Sequence, residues 1–158
     1  MKKGLFAFTV ILLIGIQISG CKEKPKELIV EPSKVNSKVS AGFVDMIEPS
    51  EKVPVNSHIH TGGWAYDPYK KSTSKGVIIL SDALQLSISP QIGFERQDVA
   101  KSLNNNELVK SGWDASLKAE LLGIGRHKLE FYSVLHDGTF APLIYQGKTS
   151  YEIEVVER

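Results

Sequence analysis

His58-Ile59-His60-Thr61-Gly62-Gly63-Trp64-Ala65-Tyr66-Asp67-Pro68 decides how this chain folds. Ile59, Thr61, Gly63 and Ala65 fall on one face; His58, His60, Trp64 and Tyr66 fall on the other, with the period of two that marks a β-strand. Asp67-Pro68 then initiates a turn. The smaller face suits a sandwich interior, which sends Trp64 outward unless Gly62-Gly63 forms a bulge that resets the register. An outward tryptophan needs cover. The expected cover is the excursion from Phe94 to Leu103, with Arg96-Gln97-Asp98-Val99 packed across it.

On either side of this stretch the sequence reads as short strands joined by turns. Gly42 to Ile47 is a first strand, stopped by Glu48-Pro49-Ser50. Lys70 to Gly76 is polar and reads as a loop. Val77-Ile78-Ile79-Leu80 is a β-branched run that suits a well-buried strand, and Leu84 to Ile88 is a weaker strand ended by Pro90. Trp113, Ala115, Leu117, Ala119 and Leu121 alternate with polar residues, which argues for a half-buried strand in an antiparallel sheet. Arg126 to Leu135 follows a turn at Gly123–Gly125, and His136-Asp137-Gly138 is a hairpin turn. Phe140 to Tyr145 and Tyr151 to Val155 close the chain, with Gly147-Lys148 between them. One short helix is expected within Gln97–Asn106, capped by the Asp98 carboxylate and broken by Asn104-Asn105-Asn106. The pattern predicts an all-β sandwich, with a partly open barrel as the alternative.

The N-terminus carries a different signal. Lys2 and Lys3 precede an almost unbroken apolar run from Leu5 to Ile18, which is shorter than the roughly 20 residues of a spanning helix and matches a signal sequence instead. Ile18-Ser19-Gly20-Cys21 follows, and Cys21 is the only cysteine. The segment resembles bacterial lipoprotein signal peptides, whose lipobox ends in a small residue before cysteine. That resemblance implies cleavage before Cys21, acylation of Cys21, and a cell-envelope location anchored to the membrane. It would be the outer membrane if the cell has two, because Lys22 and not aspartate follows the cysteine. The expected organisation is a signal peptide over 1–20, a flexible tether over 21–38 and a β-sandwich domain over 39–158.

Composition excludes some functions. The chain has 158 residues, 42% hydrophobic and 23% charged, as expected of one globular domain. Without Lys2 and Lys3 it carries 17 basic and 18 acidic residues, so it lacks the basic bias of a nucleic-acid binder. With Cys21 acylated, no internal disulfide forms and the fold rests on packing.

Three patches resemble a bacterial immunoglobulin-like module of surface and secreted proteins. They are Gly63-Trp64-Ala65-Tyr66-Asp67-Pro68, then Gly93-Phe94-Glu95-Arg96-Gln97-Asp98-Val99-Ala100, and Ser111-Gly112-Trp113. Gly125 to Leu129 fits the pattern as well. Gln97 stands where the family favours proline, and Trp113 where it favours phenylalanine. The resemblance implies an immunoglobulin-like sandwich whose motif residues Trp64, Arg96, Asp98, Gly112 and Trp113 serve structure, and a non-catalytic role in binding or assembly.

The chemistry-bearing residues support no enzyme. His58 and His60 share a face, as two metal ligands would, but a third would have to come from Asp67, His127 or His136, and no spacing motif names one. No metal or cofactor is expected. Ser72-Thr73-Ser74-Lys75 matches the serine acylase S-x-x-K without its companion elements. Gly147-Lys148-Thr149 imitates the end of a phosphate loop, but Pro142 occupies the required glycine position and strands flank it. Arg96 and Asp98 are expected to pair or to fix their loop to the sheet. Tyr66, Tyr69, Trp64 and Trp113 could instead form a sugar platform, which makes a glycan-binding module the alternative function. A small envelope enzyme ranks last. The expected partners are the membrane, through Cys21, and envelope proteins or glycans.

Overall fold

The computed structural model describes residues 32–82, 87–88 and 90–158. The signal segment, Cys21, most of the tether and residues 84–86 of the expected Leu84–Ile88 strand lie outside them.

Eleven strands among these residues form two sheets. In chain order they are β1 (Gly42–Glu48), β2 (Lys52–Pro54), β3 (His58–Asp67), β4 (Ser72–Thr73), β5 (Gly76–Ser81) and β6 (Ser87–Ile88). Then come β7 (Gln91–Phe94), β8 (Gly112–Lys118), β9 (Gly125–Val134), β10 (Phe140–Pro142) and β11 (Ser150–Val156). The first sheet has the order β1-β3-β8-β7, with β4 added to the end of β3. The second has the order β2-β11-β9-β5-β6, with β10 beside β9. With the short strands β2, β4, β6 and β10 set aside, this is the strand order of an immunoglobulin-like sandwich: β1, β3, β8 and β7 in one sheet, β11, β9 and β5 in the other. All pairings are antiparallel except that of β2 with β11.

β3 is central to its sheet. It pairs with β1 on one side and β8 on the other. Its own alternation is unbroken: Ile59, Thr61, Gly63 and Ala65 are buried, while His58 and His60 are exposed and Trp64 and Tyr66 half-buried. No bulge at Gly62-Gly63 resets its register; a bulge lies instead in β1, where Val44 opposes Gly63 and Met46 opposes Gly62, leaving Asp45 as the extra residue. Gly63 makes the bulge possible, because a Cβ there would meet the Phe43 carbonyl oxygen at 2.1 Å. The core between the sheets is built from Ile59, Trp113, Leu117, Leu129, Phe131 and Ile153 with their neighbours.

Three expectations need correction. The strand from Trp113 stops at Lys118, which is opposite His58, the first residue of its partner. The Ala119 amide still donates to the Ser57 carbonyl at 2.9 Å, but with β3 at its end residues Ala119–Leu121 turn into a 3-10 helix, so Leu121 is exposed although Ala119 remains buried. The short helix α1 (Gln97–Ser102) has Arg96, not Asp98, as its N-terminal flanking residue, and Asp98 sits within the first turn. Packing also begins before residue 39. Val35 bridges to Phe140, and the Asn36 amide donates to the Phe140 carbonyl at 2.7 Å.

Two polar links tie the sheets together at the end where β3 finishes. Buried Ser133 in β9 donates to the Tyr66 carbonyl at 3.1 Å. Asp67, buried at 2% exposure, accepts from the Tyr69 and Lys70 amides through one oxygen. Its other oxygen lies 2.9 Å from the His136 amide and 3.0 Å from its Nδ1. Burial by itself would raise the Asp67 pKa, but together these hydrogen bonds outweigh it and hold the carboxyl below its ordinary value.

Candidate functional site

Four of the five motif residues, Trp64, Arg96, Asp98 and Gly112, converge on the outer face of the first sheet. The pairings Phe43–Trp64, Trp64–Gly112 and Gly112–Phe94 place four positions in one row across β1, β3, β8 and β7. Directly paired residues of adjacent strands share a face, so Phe43, Trp64 and Phe94 all point away from the core. Glycine interrupts the row, and the stem of Arg96 fills the gap. A Cβ on Gly112 would lie 3.1 Å from Arg96 Cγ and 2.8 Å from the Phe94 carbonyl oxygen.

Arg96 is held there by three charge-assisted hydrogen bonds. Its Nε and Nη2 donate to the two oxygens of Asp98 at 2.9 and 2.7 Å, and its Nη1 donates to Asp45 at 2.5 Å. The fork binds the first turn of α1 to the bulge of β1. The Asp98 carboxyl is pulled down to about 2 chiefly by its hydrogen bond from Arg96, and the Arg96 pKa is raised, first by Asp98 and then by Asp45 against its partial burial. Both roles foreseen for the pair are therefore present, since the residues bond to each other and fix the segment to the sheet. Sequence reasoning missed Asp45, because only the bulge aims it at Arg96.

Beside the fork runs a trough of about 530 Å³, floored by Phe43, Trp64 and Tyr66 and walled by Arg96, Val99 and Leu103. Trp64 stands 5.6 Å from each of its aromatic neighbours, with ring planes tilted by 35° to Phe43 and 37° to Tyr66. Trp64 is half-buried, and the excursion expected to cover it comes alongside as the wall of the trough. Phe43 and Leu103 remain exposed at the rim.

The other candidates do not join this site. Trp113 is buried in the core, 6.0 Å from Phe131, and its Nε1 finds no partner among the described residues. It takes no part in a sugar platform. His58 and His60 lie with ring centroids 6.3 Å apart on an exposed face. None of their proposed third ligands joins them: Asp67 and His136 bond to each other, and His127 Nε2 lies 2.8 Å from the Gly123 carbonyl oxygen. No group of three or more metal-ligating side chains occurs among the described residues. Ser72 pairs in β4 with Asp67, and Lys75 is tied by its amide to Val134. Gly147 lies in a two-residue turn closed between Tyr145 and Lys148.

No protein-family model matches this sequence, and no curated protein matches it closely enough to be counted a relative.

Proposed function

We propose that this protein is a non-enzymatic, lipid-anchored module of the cell envelope that binds a partner through the aromatic trough. The signal-like N-terminus and Cys21 support the anchor. The observation that carries the binding role is the Phe43–Trp64–Tyr66 floor, three adjoining rings on the outer face of a sheet. A sheet face turned to water ordinarily carries polar side chains. Large aromatics at such a position offer contact area at low entropic cost. The charged groups beside them are committed to one another: the Arg96 fork shapes the wall and leaves no carboxylate pair or nucleophile–base pair poised for chemistry.

Glycan binding is the second reading, and the tilted rings beside polar Arg96 and Asp98 favour it. The two-tryptophan platform is reduced to one, with Phe43 and Tyr66 as its other members.

Mild crosslinking in the native host, followed by affinity purification, tests the reading. The wild-type chain is expected to bring down a defined protein or glycan, and F43A/W64A is expected to lose it while keeping its abundance. Equal recovery by both chains contradicts the assignment of the trough.

A further inference from the structure

The chain joins the sandwich at the end where lysines cluster. Asn36 Nδ2 donates to the Tyr69 hydroxyl at 2.7 Å, so the incoming segment lies against the turn that follows β3. Residues 33–38, Tyr69, Asp137 and Thr139 line a hollow of about 550 Å³ between them. Tyr69 is 59% exposed, and Lys70 and Lys71 follow it in the same turn, both exposed. Lys34 and Lys38, also exposed, flank it from the incoming segment. Among the described residues, the carboxylates facing this cluster are few. Asp137 accepts two hydrogen bonds from Thr139, Glu107 borders the neighbouring hollow with Lys70 and Lys71, and Asp67 is buried against His136. Glu48, Glu51 and Glu120 lie at the other end, where β3 begins.

We propose that this lysine-and-tyrosine end docks on an anionic phospholipid surface and holds the domain upright on its membrane. The proposal rests on the Cys21 anchor. Because Val35 and Asn36 are already fixed to the sandwich, only about 13 residues separate Cys21 from the folded domain, which span at most about 45 Å at full extension. The lysines can therefore come within a screening length of the headgroups, where the attraction acts. Tethering keeps the local concentration in the millimolar range, so a weak attraction suffices. Each lysine near an anionic surface strengthens that attraction by about fivefold. Tyr69 supplies an amphipathic ring of the kind that settles at the headgroup boundary.

The test uses the full lipidated chain in vesicles of phosphatidylcholine, either alone or with about one third phosphatidylglycerol. Amine labelling of Lys70 and Lys71 is compared with that of Lys118 at the opposite end by mass spectrometry. On the anionic vesicles at low salt the ratio should fall by about threefold or more, and it should recover near 0.5 M salt, about where screening removes the attraction. K70E/K71E should abolish the lipid dependence of labelling at Lys34 and Lys38. A chain that floats with both vesicle types but shows one labelling ratio overturns the docking face and leaves the anchor standing. Failure to float with either overturns both.

Discussion

Arg96 does most to hold the outer face together, because its stem covers Gly112 and its guanidinium bridges α1 to the β1 bulge. Arg96→Ala should cost about 1–2 kcal/mol, since the arginine is mostly buried but both carboxylates are exposed and partly screened. For a domain of this size that is a fall in Tm of about 4–8 °C by thermal denaturation. The effect should depend on pH. Asp98 is deprotonated more readily in the folded chain than its ordinary value near 3.8, so the folded state binds fewer protons. The part of the stabilisation that comes from Asp98 is complete above that ordinary value and is lost as pH falls towards about 2, so the gap between wild type and Arg96→Ala should narrow there. Asp67 has the same sign of dependence. Asp67→Ala should be more damaging, by about 2–4 kcal/mol in chemical denaturation, because it strands the amides of Tyr69, Lys70 and His136. Gly112→Ala should cost about 1–3 kcal/mol, because the Phe94 carbonyl is backbone and cannot swing aside.

At the scale of strands, legibility followed side-chain pattern. β3, β5, β9 and β11 were readable because each buries an alternating or continuous apolar face that sequence displays directly. β2 and β7 were not. β2 is three residues held by β11, and the four residues of β7 are all exposed at a sheet edge, so hydrogen bonds to a neighbour define them more than burial does. The β1 bulge was hidden for a related reason: its signal is the missing Cβ of Gly63 on the facing strand. The two tryptophans separate these cases experimentally. Trp113→Ala removes a core ring and should lose about 3–5 kcal/mol in urea unfolding. Trp113→Phe should stay within about 1 kcal/mol of wild type, because it also removes an indole N–H buried without a partner. Trp64→Ala should cost less than Trp113→Ala and show its main effect in partner recovery, since Trp64 is only half-buried.

Across the whole molecule, two strand ends divide the labour. Lysines and the incoming chain gather where β3 finishes, while at the end where it begins the carboxylates are mixed with lysines, as in the Lys118–Glu120 and Lys52–Glu154 pairs. The trough lies on the sheet between them, with Tyr66 and Leu103 shared between it and the hollow that carries Lys70 and Lys71. The sequence singled out Trp64, Arg96, Asp98, Gly112 and Trp113 as one motif. What the sequence could not display was that four of them form one outward assembly while Trp113 faces the core. The strand register determines that division. The proposed function depends most on acylation of Cys21, which would bring both the trough and the lysine end to the membrane. Intact mass spectrometry of the protein extracted from native membranes tests this most directly. The account predicts a chain that begins at Cys21 and carries covalent acyl mass. A membrane-extracted chain that retains residues 1–20, or begins at Cys21 without added lipid, would contradict it.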